Sequence, residues 1–223
     1  MIAGAALADP ALAGSFNVNP VRINLPADRQ TASLTIANSD AVAVAVRVIA
    51  LEWTQVNGID VHKATSNVIA SPPIFTIAPG KAQLLRVGLK NRDAARAYRI
   101  ILEEIPRQIP IAGQIQVTLR LDLPLYVLPR RGGKTDISWR AWRNAAGDLW
   151  VEGSNAGSLY GQVAELSAQQ GAEQLRSTEI GVVLPGSARR WKMGKAPHLK
   201  VGLPLALKVR SPAGETQIQI TLE

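Results

Sequence analysis

From Ile115 to Leu123 every odd position is aliphatic and every even position is polar or charged. That two-residue period puts the aliphatic side chains on one face of an extended chain, so the stretch reads as a β-strand with one apolar and one wet face. The apolar character continues to Leu128. At ~3.3 Å per residue, a strand from Ile115 to Leu128 would reach on the order of 45 Å, far beyond the usual length of about five or six residues. Such a strand can traverse a whole small domain. Its ladder of Ile115, Val117, Leu119 and Leu121 is also available to a surface other than its own core.

Shorter strand patterns precede it. Phe16 to Leu25 reads as a first strand, Thr31 to Asn38 alternates Ala32, Leu34 and Ile36 with polar residues, and Val42 to Trp53 is a long β-branched run. Asn57-Gly58 is a hairpin signal. Ser71-Pro72-Pro73 implies a turn able to hold a cis peptide, since proline offers no N–H to a ladder. Strands follow at Gln83 to Leu89 and Ala97 to Ile105. The composition changes at the basic, glycine-bearing stretch Pro129 to Lys134, which reads as a linker. Beyond it come strand patterns at Ile137 to Arg143, Leu149 to Ser154, Gly161 to Ser167, Glu179 to Leu184, Ser187 to Lys192, Leu203 to Val209 and Thr216 to Leu222. No extended segment shows a 3.6-residue period. Regularly spaced short strands with turns between them predict an all-β protein built of sandwiches, one on each side of the linker.

The chain has 223 residues, 47% of them hydrophobic, enough for two domains that each bury a core. Aromatic residues make up only 4%, which argues against single-stranded nucleic acid, whose binding normally needs aromatic platforms. The net charge of +8 is scattered and reads as a solvated basic surface. With no cysteine there are no disulfides and no thiolate sites. Residues 1–15 are rich in small apolar residues, with small-x-small patterns at Ala6-Leu7-Ala8 and Ala11-Leu12-Ala13. They read as the remnant of a secretory signal peptide or as a disordered tail. No other stretch is long and apolar enough to span a bilayer as a helix.

Catalytic chemistry has little to stand on. His62 and His198 lack neighbouring metal ligands, and no zinc-protease, nucleophile-elbow or phosphate-loop motif occurs. Glu103 and Glu104 are adjacent in a predicted strand and point to opposite faces, so they cannot work as a pair on one substrate. The expectation is a non-enzyme without metal, nucleotide or other cofactor.

The ordered elements resemble the PapD-like periplasmic chaperones of the chaperone–usher pathway. The resemblance rests on Ser71-Pro72-Pro73-Ile74-Phe75-Thr76-Ile77-Ala78-Pro79-Gly80 running on to Gln83-Leu84-Leu85-Arg86-Val87. Tyr98 to Pro106, the alternating strand and Leu184-Pro185-Gly186-Ser187 add to it. Tyr-Arg-Ile-Ile-Leu-Glu-Glu-Ile-Pro and Leu-Pro-Leu-Tyr-Val look most similar to the archaic branch. The resemblance implies two immunoglobulin-like β-sandwich domains in an L or boomerang, the first over residues 16–131 and the second over 135–223. It implies a chaperone that caps pilin subunits by donor-strand complementation and delivers them to an outer-membrane usher, with no nucleic acid, nucleotide or membrane insertion. The donors would be Ile115, Val117, Leu119 and Leu121. Of the two basic residues with which the family holds a pilin's terminal carboxylate, Arg22 matches the first. The position of the second is Pro124, and Arg120, on the same polar face, is the substitute candidate. Glu104 and Arg130 stand for the charges that link the domains. Two other readings are a pilus or surface structural subunit, and a basic β-sandwich that binds nucleic acid or anionic glycan.

Overall fold

The computed structural model describes residues 16–93, 96–106 and 117–223, and every regular element among them is a β-strand. The signal-peptide remnant and donor position Ile115 lie outside the described residues. The chain opens with β1 (Phe16–Asn19) and β2 (Ile23–Leu25), where the sequence pattern suggested one strand. Pro20 lies between them, a residue that cannot donate to a ladder, and there the chain changes sheets. The first half continues with β3 (Thr31–Asn38), β4 (Val44–Val56), β5 (Ile59–Ala64), β6 (Val68–Ser71), β7 (Ile74–Ile77), β8 (Ala82–Leu89), β9 (Ala97–Glu104) and β10 (Arg120–Val127). Strands β1-β3-β8-β6 form one sheet. Strands β2-β10-β9-β4-β5, with β7 on β4, form the other.

The two sheets bury a common core because the period-2 pattern turns alternate side chains inward. Leu34, Ile36, Leu85 and Val87 from the first sheet meet Val46, Ile100, Leu102, Leu123 and Leu125 from the second. The Asn57-Gly58 hairpin forms as its residues predict, with φ of 54° and 80° at the two central positions, the combination a two-residue primed turn requires. The Ser71–Pro72 peptide is cis, inside the predicted turn.

The second half comprises β11 (Ile137–Arg143), β12 (Asp148–Asn155), β13 (Gly161–Val163), β14 (Glu165–Gln170), β15 (Glu173–Ser177), β16 (Gly181–Val183), β17 (Ser187–Lys195), β18 (Pro204–Ser211) and β19 (Gly214–Thr221). They assemble as β11-β12-β17, β13-β16 and β15-β14-β18-β19, around a separate core that includes Leu149, Val151, Leu166, Trp191, Leu205 and Leu207. The stretch read as one strand from Gly161 to Ser167 divides, because Gly161 to Val163 pairs with β16 while Glu165 to Gln169 pairs with β18. Strand β15 leaves no sequence signal: Leu175 is its one aliphatic residue, and it sits at a sheet edge.

The halves meet in a small cluster of Trp53, Ala97, Tyr126 and Leu184, flanked by Tyr160 and Val182. The Gln55 side chain crosses the joint. Its Nε2 donates to the Val182 carbonyl (2.6 Å) and its Oε1 accepts from the Leu184 N–H (2.9 Å). The hairpin tip docks beside it, with the Arg190 N–H donating to the Gly58 carbonyl at 3.0 Å. A side chain at position 58 would run into Arg190, so the turn residue also permits this approach.

Among the described residues the long alternating strand is shorter than its pattern implied. The ladder of β10 begins at Arg120, and residues 117–119 are in no regular strand. The cause is the neighbour. Strand β9 ends at Glu104, the Ile105 N–H turns away to the Ala45 carbonyl, and Pro106 follows. A strand is laddered only where a partner runs beside it.

Candidate functional site: a cleft face and an unpaired strand end

Strand period places Arg120, Asp122, Pro124 and Tyr126 on one face of β10, opposite Leu121, Leu123 and Leu125. The cross-strand register then builds rows over that face. Arg120 stands opposite Glu103, which stands opposite Arg47. Pro124 stands opposite Arg99, and Arg99 opposite Leu51. Tyr126 lies between Asn24 of β2 and Ala97 of β9. Continuing the parallel β2–β10 register by one residue puts Arg22 beside Pro124. Arg22 and Arg99 therefore flank the same proline, about 10 Å apart by strand spacing.

The rows differ in charge. Arg120 is 3.2 Å and Arg47 2.6 Å from the Glu103 carboxylate, so that row is internally compensated. The hydrogen bond from Arg47, with the Arg47 and Arg120 charges, holds the Glu103 carboxyl below its usual range against some burial. Arg22 is exposed and meets no acid among the described residues. The Arg99 guanidinium lies over the Trp53 ring at 3.7 Å and reaches Asp122 only at 3.5 Å. Its Nε is buried and has no hydrogen-bond partner. Burial pushes the Tyr126 phenol well above its ordinary range, so it stays a neutral donor. Both Arg22 and Arg99 act electrostatically on that hydroxyl.

The sequence-predicted residues thus separate. Arg22 lies in the Pro124 row. Arg120 shares the face but sits four residues up the strand, about 13 Å away, and is occupied by Glu103. Arg99 escaped sequence reading because only strand pairing sets it opposite Pro124.

On the other face the aliphatic ladder splits. Leu119 and Leu121 are partly buried against the first half's own core, whereas Val117 is 51% exposed. Glu104 pins the point of emergence. Its carboxylate accepts the Leu119 N–H at 3.0 Å and its own N–H donates to the Leu119 carbonyl at 2.9 Å. Arg130 lies 3.8 Å from Asp93, on the surface of the first half. The ion pair seen at the joint is a different one, Asp60 with Arg189. Burial opposes the charged form of Asp60. Hydrogen bonds from Gln55 and Trp53, together with Arg189, outweigh it and hold the carboxyl below the usual range.

This geometry, two β-sandwiches with arginines along one face of β10 and an exposed Val117 ahead of it, has relatives. The family described as "pili and flagellar-assembly chaperone, PapD N-terminal domain" matches residues 15–132. The chain belongs to this family of PapD-like pilus-assembly chaperones. No curated protein matches the sequence significantly. Among solved structures, a chain of the CsuC–CsuE chaperone–tip adhesion subunit pre-assembly complex, from the archaic chaperone–usher Csu pili of Acinetobacter baumannii, is 18% identical. That match covers 94% of this chain and 99% of that one, with a TM-score of 0.69. The Escherichia coli chaperone DraB is 17% identical over 96% of this chain and 99% of its own, with a TM-score of 0.62. A chain of the Salmonella enterica SafA pilin–SafB chaperone complex is 15% identical over 96% and 99%, with a TM-score of 0.64. At these identities the likeness is one of fold, and it extends over both halves.

Proposed function

We propose that the chain is a periplasmic chaperone that caps pilin subunits by lending them the strand end that precedes β10, and that it passes them to an outer-membrane usher. Membership of the pilus-assembly chaperone family supports the general activity, which is chaperoning and not catalysis. The single observation that carries the mechanism is the strand end itself. Val117 is exposed just beyond the end of β9, so its aliphatic side chain stands clear of the chaperone's own core and is available to a partner.

In this reading Ile115 and Val117 enter the subunit's groove, and Leu119 and Leu121 bridge from that groove into the chaperone's own core. Each fully buried aliphatic contributes roughly 1.5–3 kcal/mol. Arg22 receives the subunit's terminal carboxylate in the cleft. Residues 16–131 and 135–223 are the two domains. The archaic branch is favoured by the absence of cysteine, the short connection between Pro106 and Gln114, and the likeness to the chain from the Csu system.

The test is Val117→Asp. Co-expressed with a pilin, this variant should yield a normally folded chaperone, judged by circular dichroism, that no longer co-purifies with the subunit, because an unpaired carboxylate is strongly disfavoured in an apolar groove. Retention of the complex would remove the donor assignment at this position.

A further inference from the structure

The two large sheets of the second half close on each other at one end only. Strands β11 and β19 are the terminal strands of the β11-β12-β17 and β15-β14-β18-β19 sheets. They are joined where they finish. Ala141 forms a parallel bridge with Leu222, the Glu223 N–H donates to the Ala141 carbonyl at 2.9 Å, and the Arg143 N–H donates to the Glu223 carbonyl at 3.1 Å. Toward their beginnings, no backbone hydrogen bond links these two strands among the described residues. There a cavity of about 530 Å³ lies between the sheets. Ile137 and Trp139 of β11, Val163 of β13 and Val209 of β18 give it apolar walls, and Asn24 and Leu128 of the first half line it as well.

We propose that this cavity binds an uncharged, largely apolar small molecule built on aromatic or alicyclic rings. Its volume falls within the range of about 300–1,000 Å³ usual for small-molecule sites. The charge of the occupant follows from the lining. The chain carries 25 Lys and Arg and 17 Asp and Glu, yet none of them lines the cavity, nor does either histidine. An ionised ligand would leave water without a counter-charge, which is strongly disfavoured. The lining hydroxyls are largely committed to the wall itself. Tyr160 donates to Asn24 Oδ1 at 3.2 Å, Thr135 to the Tyr160 carbonyl at 3.3 Å, and Ser211 to the Gly214 carbonyl at 3.1 Å. The Gln162 amide has no hydrogen-bond partner among the described residues, so it offers one neutral donor and acceptor to a single polar group on the ligand. Trp139 supplies a flat ring, set against Trp191 of the core at 5.8 Å, which favours a ring compound.

The site goes beyond subunit capping and does not depend on it, since neither Val117 nor any arginine of the β10 face lines the cavity. It does reach the joint between the halves. Tyr160, in its wall, stacks on Tyr126 at 3.6 Å, and the Leu128 N–H donates to the Leu25 carbonyl of β2 at 3.0 Å. An occupant touching Asn24 and Leu128 on one side and β11 and β13 on the other would add apolar contacts across the joint.

The experiment uses the full chain and two dyes that share the same rings and fluoresce in apolar surroundings. Phenylnaphthylamine is neutral, and anilinonaphthalene sulfonate adds one anionic group. The wild type should bind the neutral dye saturably at one site, at least about tenfold more tightly than the sulfonate, although a net charge of +8 would by itself favour the anion. The neutral dye should also raise the thermal midpoint, because a ligand of the folded state stabilises it by mass action. Thr216 and Ala213 are exposed lining residues, so substitutions there should leave the fold intact. Thr216→Trp and, independently, Ala213→Trp place a ring in the mouth and should each weaken the neutral dye by at least about fivefold. Thr216→Arg brings a cation to the rim and should narrow the preference between the dyes. Leu84→Ser removes an exposed apolar side chain outside the cavity and should change neither affinity. Absence of saturable binding by the neutral dye would overturn the site. A sulfonate bound as tightly as the neutral dye would overturn the uncharged occupant. Undiminished affinity in both tryptophan variants would overturn the placement of the site in this cavity.

Discussion

The rows Arg140–Glu152–Arg190 and Arg22–Pro124–Arg99 share a frame and differ in the residue at the centre. In the second half the central acid closes the charge, and the surroundings follow suit. Trp142 and Trp150 stack 6.4 Å apart, Arg140 and Arg190 lie over Trp142, and Asp148 takes Lys192 and Lys195 at 3.0 and 3.2 Å. That face is complete in itself and serves the scaffold. In the first half the central proline brings no carboxylate, Arg22 meets no acid among the described residues, and Arg99 reaches only Asp122, at 3.5 Å. The central side chain thus decides whether the flanking arginines share one internal carboxylate.

The comparison can be broken first at the cores. Trp191 fills the second half's core and is fully buried. Trp191→Ala should cost about 3–5 kcal/mol in urea unfolding, the usual range for an emptied aromatic site. If the second half is scaffold, the fraction that remains folded should still capture subunits normally; lost capture by folded protein would place binding in that half. Next comes Arg22→Ala, which should weaken subunit capture by roughly 2–5 kcal/mol, the usual cost of leaving a buried charge unpaired. Unfolding stability should change by less than about 0.5 kcal/mol, since Arg22 is exposed and meets no acid among the described residues. A stability loss as large as the binding loss would make the first-half row structural as well.

The third test concerns acid. Burial opposes the charge on Glu152, but the hydrogen bonds and charges of Arg140 and Arg190 prevail and hold its carboxyl below the ordinary 4.5. A group whose folded value is depressed stabilises the fold above its unfolded value and loses that contribution as pH falls through the folded one. The urea midpoint should therefore drop as pH is lowered below about 4.5, and Glu152→Gln should flatten that drop. At neutral pH the variant should lose about 1–2 kcal/mol, because both arginines remain partly in water. A pH profile unchanged by the substitution would mean that the closed row contributes nothing. The smallest effect is expected for Arg130→Ala. Its pair with Asp93 is exposed on both sides, so thermal unfolding should shift by no more than about 0.5 kcal/mol. A loss of several times that would restore Arg130 as a structural charge.

Much of this protein could be read from the order of residues alone. Period-2 alternation identified β3 and the inward Leu121 and Leu123 of β10, because burial of one sheet face is a local constraint that every second residue must obey. The Asn57-Gly58 turn was legible because few residue pairs accept positive φ at two successive positions. Arg22 could be singled out by family resemblance. Pairing was not legible. The sheet change at Pro20, the division of Gly161 to Ser167 and the end of the β10 ladder at Arg120 all depend on which strand lies alongside, a choice made across long sequence separations. Arg99 lies 25 residues before Pro124 and 77 after Arg22 in the sequence, and nothing local announces that the three share a row. Alternation determined which way each side chain points. The tertiary register alone decided which of them meet, since sliding β9 by two residues keeps every face unchanged and puts Ala97 or Ile101 opposite the proline in place of Arg99.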